Sequence, residues 1–294
     1  MKWKGRRKSS NVEDRRGRSN SGKDFGGINP MLLGPLLKLL FSKTGLIIVG
    51  VLLAISFFTG YNPLNLLSGN ISDSTNTAYS GSQEENQLAE FSETILASTE
   101  DVWNQKIDNY REPTLVLFKN SVRSACGSAS SATGPFYCPG DEKLYIDLAF
   151  FKDMERQLNA PGDFAQAYVI AHEVGHHIQK LMGITDEMNK LRQKLTKTEY
   201  NKYSVRLELQ ADFIAGVWAH HSQKGLKWME AGDLEEALNA ANAIGDDRLQ
   251  KKSTGQVVPD SFTHGTSEQR VRWFKKGFET GDLSQGDTFS TNNL

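Results

Sequence analysis

Two histidines four residues apart, the first followed directly by a glutamate, are the residues of this 294-residue chain best suited to chemistry: His172-Glu173-Val174-Gly175-His176. On an α-helix, residues four apart lie on one face. His172 and His176 can therefore aim two imidazoles at one metal ion. Glu173, one residue along, is offset to the side where a metal-bound water would sit. Neutral imidazole suits zinc, and a carboxylate that is not a ligand can take a proton from water. The spacing points to metal-assisted hydrolysis.

Such a site takes three protein ligands and leaves a fourth position open. The six residues after His176, HIQKLM, hold no further metzincin-like histidine. A glutamate on a later helix is the other common choice, and the segment Glu199 to His221 offers one. There Glu208 and Asp212 lie four apart, beside an apolar stripe of Leu207, Ala211, Ile214, Ala215 and Trp218. In the zinc reading Glu208 binds the metal and Asp212 accepts the free ring N–H of a ligand histidine, His172 first. The bland alternative for Glu208 is a carboxylate at the edge of an apolar face. Ala215 and Gly216 are small enough to let this helix approach the histidine helix closely. His264, in SFTHGTSEQ, is the candidate donor to a tetrahedral oxyanion, against a plain role as a loop histidine. His177, His220 and His221 read as surface or packing residues.

Helices and strands must position these groups. Pro161-Gly162-Asp163 reads as a helix start with Asp163 as N-cap, and Gly183 as a stop. Between them Phe164, Ala167, Ala171, Val174, Ile178 and Leu181 recur at helical spacing. Leu88, Phe91, Ile95, Val102 and Ile107 predict a long amphipathic helix that opens the folded domain. Thr114 to Lys119 and Lys143 to Leu148 predict strands, the second either the edge strand that lines a cleft or an ordinary interior strand. Ala149 to Leu158 is a short helix. Asp233 to Leu249 supplies one or two more, and a last helix capped by Thr266 or Ser267 turns Val271, Phe274 and Phe278 inward and ends at Gly281.

The ends of the chain differ in character from this middle. Residues 1–43 carry eleven Lys/Arg against three Asp/Glu, a balance of +8, so the total of −1 leaves −9 for the rest. No nucleic-acid partner is expected from so balanced a chain. Residues 1–29 are basic and poor in apolar residues, which predicts a disordered cytoplasmic tail. Residues 30–62 form an apolar segment in which Gly45 to Tyr61 runs without a charge, and a single transmembrane helix is expected there. With the positive charges ahead of it, the N-terminus stays in the cytoplasm and the body is exported, to the periplasm or the cell exterior. A flexible linker over 63–83, a domain over 84–283 and a disordered tail over 284–294 complete the expected organisation.

Cys126 and Cys138 are the only cysteines. In an exported body they would pair, closing a short loop worth roughly 3 kcal/mol. Two reduced thiols in a cytosolic domain, or half of a metal site, are the other readings. No CxxC spacing favours the metal.

HExxH followed by ExxAD on a second helix looks like the gluzincin arrangement of zinc peptidases. The longer strings GPFYCPGDEKLYIDLAFF, YVIAHEVGHHIQ, RLELQADFIAGVWA and SFTHGTSEQRVRWFKKGFETGD resemble the bacterial neutral zinc metallopeptidase family, from about residue 30 to 283. The resemblance implies an α+β, zincin-like fold, a small sheet beside the HExxH helix and a largely helical second half, following one N-terminal span. It also implies a zinc ion held by His172, His176 and Glu208, and peptide or protein substrates. Glu173 is then the general base of a peptidase tied to a lipid bilayer. The alternative is a membrane-anchored interaction module that holds zinc and cleaves nothing.

Overall fold

The computed structural model describes residues 1–17, 79 and 81–294. Strand β1 (Val12–Asp14) precedes helix α1 (Gln83–Lys106). Strands β2 (Thr114–Phe118), β3 (Ser121–Ser124), β4 (Gly127–Ser130), β5 (Phe136–Cys138) and β6 (Lys143–Asp147) follow. The remainder is helical: α2 (Ala149–Leu158), α3 (Asp163–Leu181), α4 (Ile184–Arg192), α5 (Lys197–Leu226), α6 (Asp233–Ala243), α7 (Asp246–Thr254) and α8 (Ser267–Thr280). The fold is mixed α+β and mostly helical.

The sheet runs β1-β2-β6-β5, with β1, β2 and β6 parallel and β5 antiparallel to β6. Side chains alternate between its two faces. Leu115, Leu117, Leu144 and Ile146 join the main core, whereas Val116, Phe118 and Tyr145 join a smaller cluster with Val122 and Cys138. Both faces are therefore covered, and β2 and β6 read as nearly continuous apolar runs. β6 is an interior strand. The edge beside the cleft is β5, a segment whose Gly/Ser/Ala surroundings predict only loop. That stretch instead holds the two-residue hairpin β3–β4, and Cys126 in its turn has its sulfur 2.03 Å from that of Cys138 at the end of β5.

Both ends of the chain depart from expectation. Residues 1–17 are ordered. β1 pairs with β2, Trp3 packs edge-on against Phe91, and Arg7, Ser9 and Asn11 all bond the buried carboxylate of Glu100. A strand of three residues among basic ones shows no apolar pattern; its pairing is made by backbone and charge. Residues 284–294 pack across α5, where Arg206 donates to the carbonyls of Phe289 and Thr291 and Thr288 is fully buried. The charge-free run 45–61 and nearly all of the linker lie outside the described residues. No helix among the described residues is long and apolar enough to cross a membrane.

Candidate metal centre

Helix α3 starts at Gly162, which takes φ 113°, with Asp163 in the first turn where its charge favours the helix N-terminus. Phe164, Ala167, Tyr168, Ala171, Val174 and Ile178 bury its apolar face. That leaves His172 and His176 one turn apart, their ring centroids 4.8 Å from one another. Helix α5 crosses alongside at close range because position 175 is glycine: a Cβ there would stand 3.0 Å from the Ala211 carbonyl oxygen. Gly216 serves a different contact, since its missing Cβ would strike the backbone of α8 at Phe274.

The close crossing brings Glu208 between the two rings. Its Oε2 lies 3.1 Å from His172 Nε2 and its Oε1 3.6 Å from His176 Nε2. Ligand atoms of His172, His176 and Glu208 all fall within 4.8 Å of one another. The far side of each ring meets an oxygen. His172 Nδ1 is 2.8 Å from Asp212 Oδ1, and His176 Nδ1 is 2.8 Å from Gln179 Oε1. The Gln179 amide is oriented by its own donations to the Leu207 carbonyl and Gln210. A carboxylate and an amide oxygen can only accept, so each Nδ1 carries a proton, and each Nε2 faces Glu208, where a metal ion would take the place of a second proton.

Asp212 is wholly buried and takes more than the histidine. Tyr168 donates to its Oδ1 at 2.5 Å, and Arg270 of α8 donates to both its oxygens at 2.8 and 2.9 Å. Burial would raise the Asp212 pKa, and Arg270 with His172 pull it below the usual carboxylate range. Burial likewise depresses His172, but Asp212 and Glu208 overcome it and lift the ring to about 10. Glu208 is held far below its ordinary value by the two rings, against the pull of burial. The group is a matched set of charges.

These residues line a cleft of about 500 Å³ whose other walls include Phe136 and Tyr137 of β5, Phe150, Leu207 and Leu249. Glu173 lines it too, 8% exposed, as does His264. His264 Nδ1 is engaged by Thr263 Oγ1 at 2.9 Å and Asp246 Oδ1 at 3.3 Å. Asp246 raises its pKa, with burial opposing. Of the candidate residues, then, the structure gathers His172, His176, Glu208 and Asp212 into one cluster. It puts Glu173 and His264 on the same cleft.

Sequence reasoning missed Tyr168, Gln179 and Arg270. Arg270 did leave a signal. It shares the buried stripe of α8 with Ser267, Trp273, Phe274 and Gly277, and a charge at such a position implies a buried partner.

Residues 1–289 match the family described as "Putative neutral zinc metallopeptidase". The chain belongs to that family. It is 51% identical to the uncharacterized protein YpfJ of Escherichia coli K12, over 98% of this chain and 99% of the relative. The uncharacterized protein Rv2575 of Mycobacterium tuberculosis is 41% identical over 67% of this chain and 69% of its own length. No solved structure matches the chain. The family supports a zinc-dependent peptidase acting on peptides or proteins.

Proposed function

We propose that the protein is a zinc metallopeptidase in which His172, His176 and Glu208 hold the ion and Glu173 is the general base. The observation that carries this is the convergence of two Nε2 atoms and one carboxylate at the floor of an open cleft, with no fourth protein ligand in the cluster among the described residues. The donor set suits zinc, and both rings have the oxygen acceptors behind them that ligand histidines use. A closed, purely structural site would need a fourth ligand and no spare carboxylate. When bound, zinc supplies Lewis acidity, polarising a scissile carbonyl and acidifying water.

The chain's own residues do the rest. Asp212 and Gln179 fix which ring nitrogen is free. Glu173 accepts a proton from the attacking water and passes it to the leaving amine. His264, whose Nδ1 is committed to Asp246 and Thr263, donates Nε2–H to the oxyanion when the ring carries both protons, the form that Asp246 favours. The edge strand β5 can take an extended peptide by strand addition, with Phe136 and Tyr137 contributing side chains to the cleft wall. We take Cys126 and Cys138 as a disulfide that pins the β3–β4 hairpin to this edge, and the domain as exported, where such a pair persists.

The test uses the full chain, since residues 1–17 belong to the fold. Wild type and Glu173→Gln are compared for zinc per chain and for cleavage of a mixed peptide library by mass spectrometry. One zinc in each is expected, with cleavage in the wild type only and a loss of about 10²-fold or more in the variant. Zinc in both without cleavage would move the reading to the non-catalytic interaction module. No zinc in either would end it.

A further inference from the structure

We infer that residues 1–17 lie on the same side of any membrane as the peptidase domain, so that the charge-free run 45–61 does not make a single crossing between them. The first support is β1. It joins the sheet in parallel register with β2, Val12 opposite Leu115 and Asp14 opposite Leu117. Backbone bonds extend the pairing on both sides, from Leu115 N to the Asn11 carbonyl and from Arg15 N to the Leu117 carbonyl, each 2.8 Å. Moving this strand across a bilayer would strip the edge of β2 and leave Glu100, 1% exposed, without Arg7, Ser9 and Asn11.

The second support is where the undescribed stretch leaves and rejoins the domain. The Arg16 guanidinium sits 4.9 Å from the Tyr79 ring centroid, and a Cβ on Gly17 would lie 3.1 Å from that ring. The residues that flank 18–78 are therefore in contact. A single crossing would hold them about 30 Å apart, the thickness of the hydrocarbon core.

The basic residues that suggested a cytoplasmic N-terminus also have partners within the domain. Arg7 pairs with Glu100 and Asp101, Lys8 pairs with Glu90, and Arg16 donates to the Glu85 carbonyl. They are part of the folded unit, and their charge is no measure of which side the tail occupies. The inference does not depend on the catalytic reading.

Cysteine accessibility in the full chain tests it. Lys4→Cys and Lys275→Cys, both at exposed positions, are made one at a time. Spheroplasts and lysed cells are treated with a membrane-impermeant maleimide, and total thiol is counted after denaturation. The expected result is that the two positions behave alike. Labelling of both in spheroplasts supports the inference and puts the domain outside. Labelling of both only after lysis supports it with the domain inside. One position labelled in spheroplasts and the other only after lysis overturns it.

Discussion

Arg270→Met is the perturbation that probes the centre most sharply, because it replaces no proposed ligand and acts mainly through Asp212. The guanidinium is 2% exposed and spends two hydrogen bonds on Asp212, which is itself at 0%. Removing one partner of a buried ion pair costs about 3–5 kcal/mol, since the other charge stays desolvated. Asp212 would keep the Tyr168 hydroxyl and His172 Nδ1 as donors, so the lower end, about 3 kcal/mol, is expected. For a domain of this size that corresponds to a fall of roughly 6–12 °C in Tm. Zinc stoichiometry should stay at one per chain, because the Asp212–His172 contact survives. Asp212→Asn should cost a similar amount by stranding Arg270. The double variant should be less destabilised than the two singles summed, by about 2 kcal/mol. Calorimetry and urea unfolding of chelator-treated protein measure all three. A loss below about 1 kcal/mol for Arg270→Met, or strict additivity in the double variant, would refute the picture of a desolvated Asp212–Arg270 pair.

Two further outcomes follow from the geometry. Gln179→Ala deletes the acceptor behind His176 and should weaken zinc binding about 10–100-fold; titration against a chromogenic chelator reads this, and a change under about two-fold would make Gln179 a packing residue only. His177 is fully buried and neutral, donating Nε2–H to the Arg111 carbonyl and accepting from Tyr137, and burial lowers its pKa below 6.5. The unfolded chain therefore takes up this proton first on acidification. The stability tied to it is intact above pH 6.5 and is lost as pH falls toward the folded pKa. Zinc-free wild type should thus lose more stability than His177→Gln between pH 7.5 and 5.5, and equal losses would count against a buried neutral ring.

Local chemistry was readable along the chain. The 3.6-residue repeat from Phe164 to Leu181 placed His172, Glu173 and His176 relative to one another, and the same periodicity put Glu208 and Asp212 on one face. The cap at Thr266, which accepts from Gln269 N, and the left-handed Gly281 at the end of α8 follow from residue type in the same way. These features depend on neighbours within one or two turns, which a sequence displays directly. Asp163 was displaced by only one position, Gly162 taking the cap.

What the sequence by itself determined is therefore the two helical faces and the residue types on them, together with the class of chemistry they allow. The tertiary structure decided how those faces meet. Gly175 against Ala211 sets how closely α3 and α5 approach, and hence that Glu208 can reach both rings. Arg270 reaches Asp212 from 58 residues away. β1 and the final residues are held by Glu100, by β2 and by Arg206, partners far along the chain, while their own segments are short and polar. Burial of a charge or of a backbone edge is a property of the assembled fold, and no pattern within the segment encodes it.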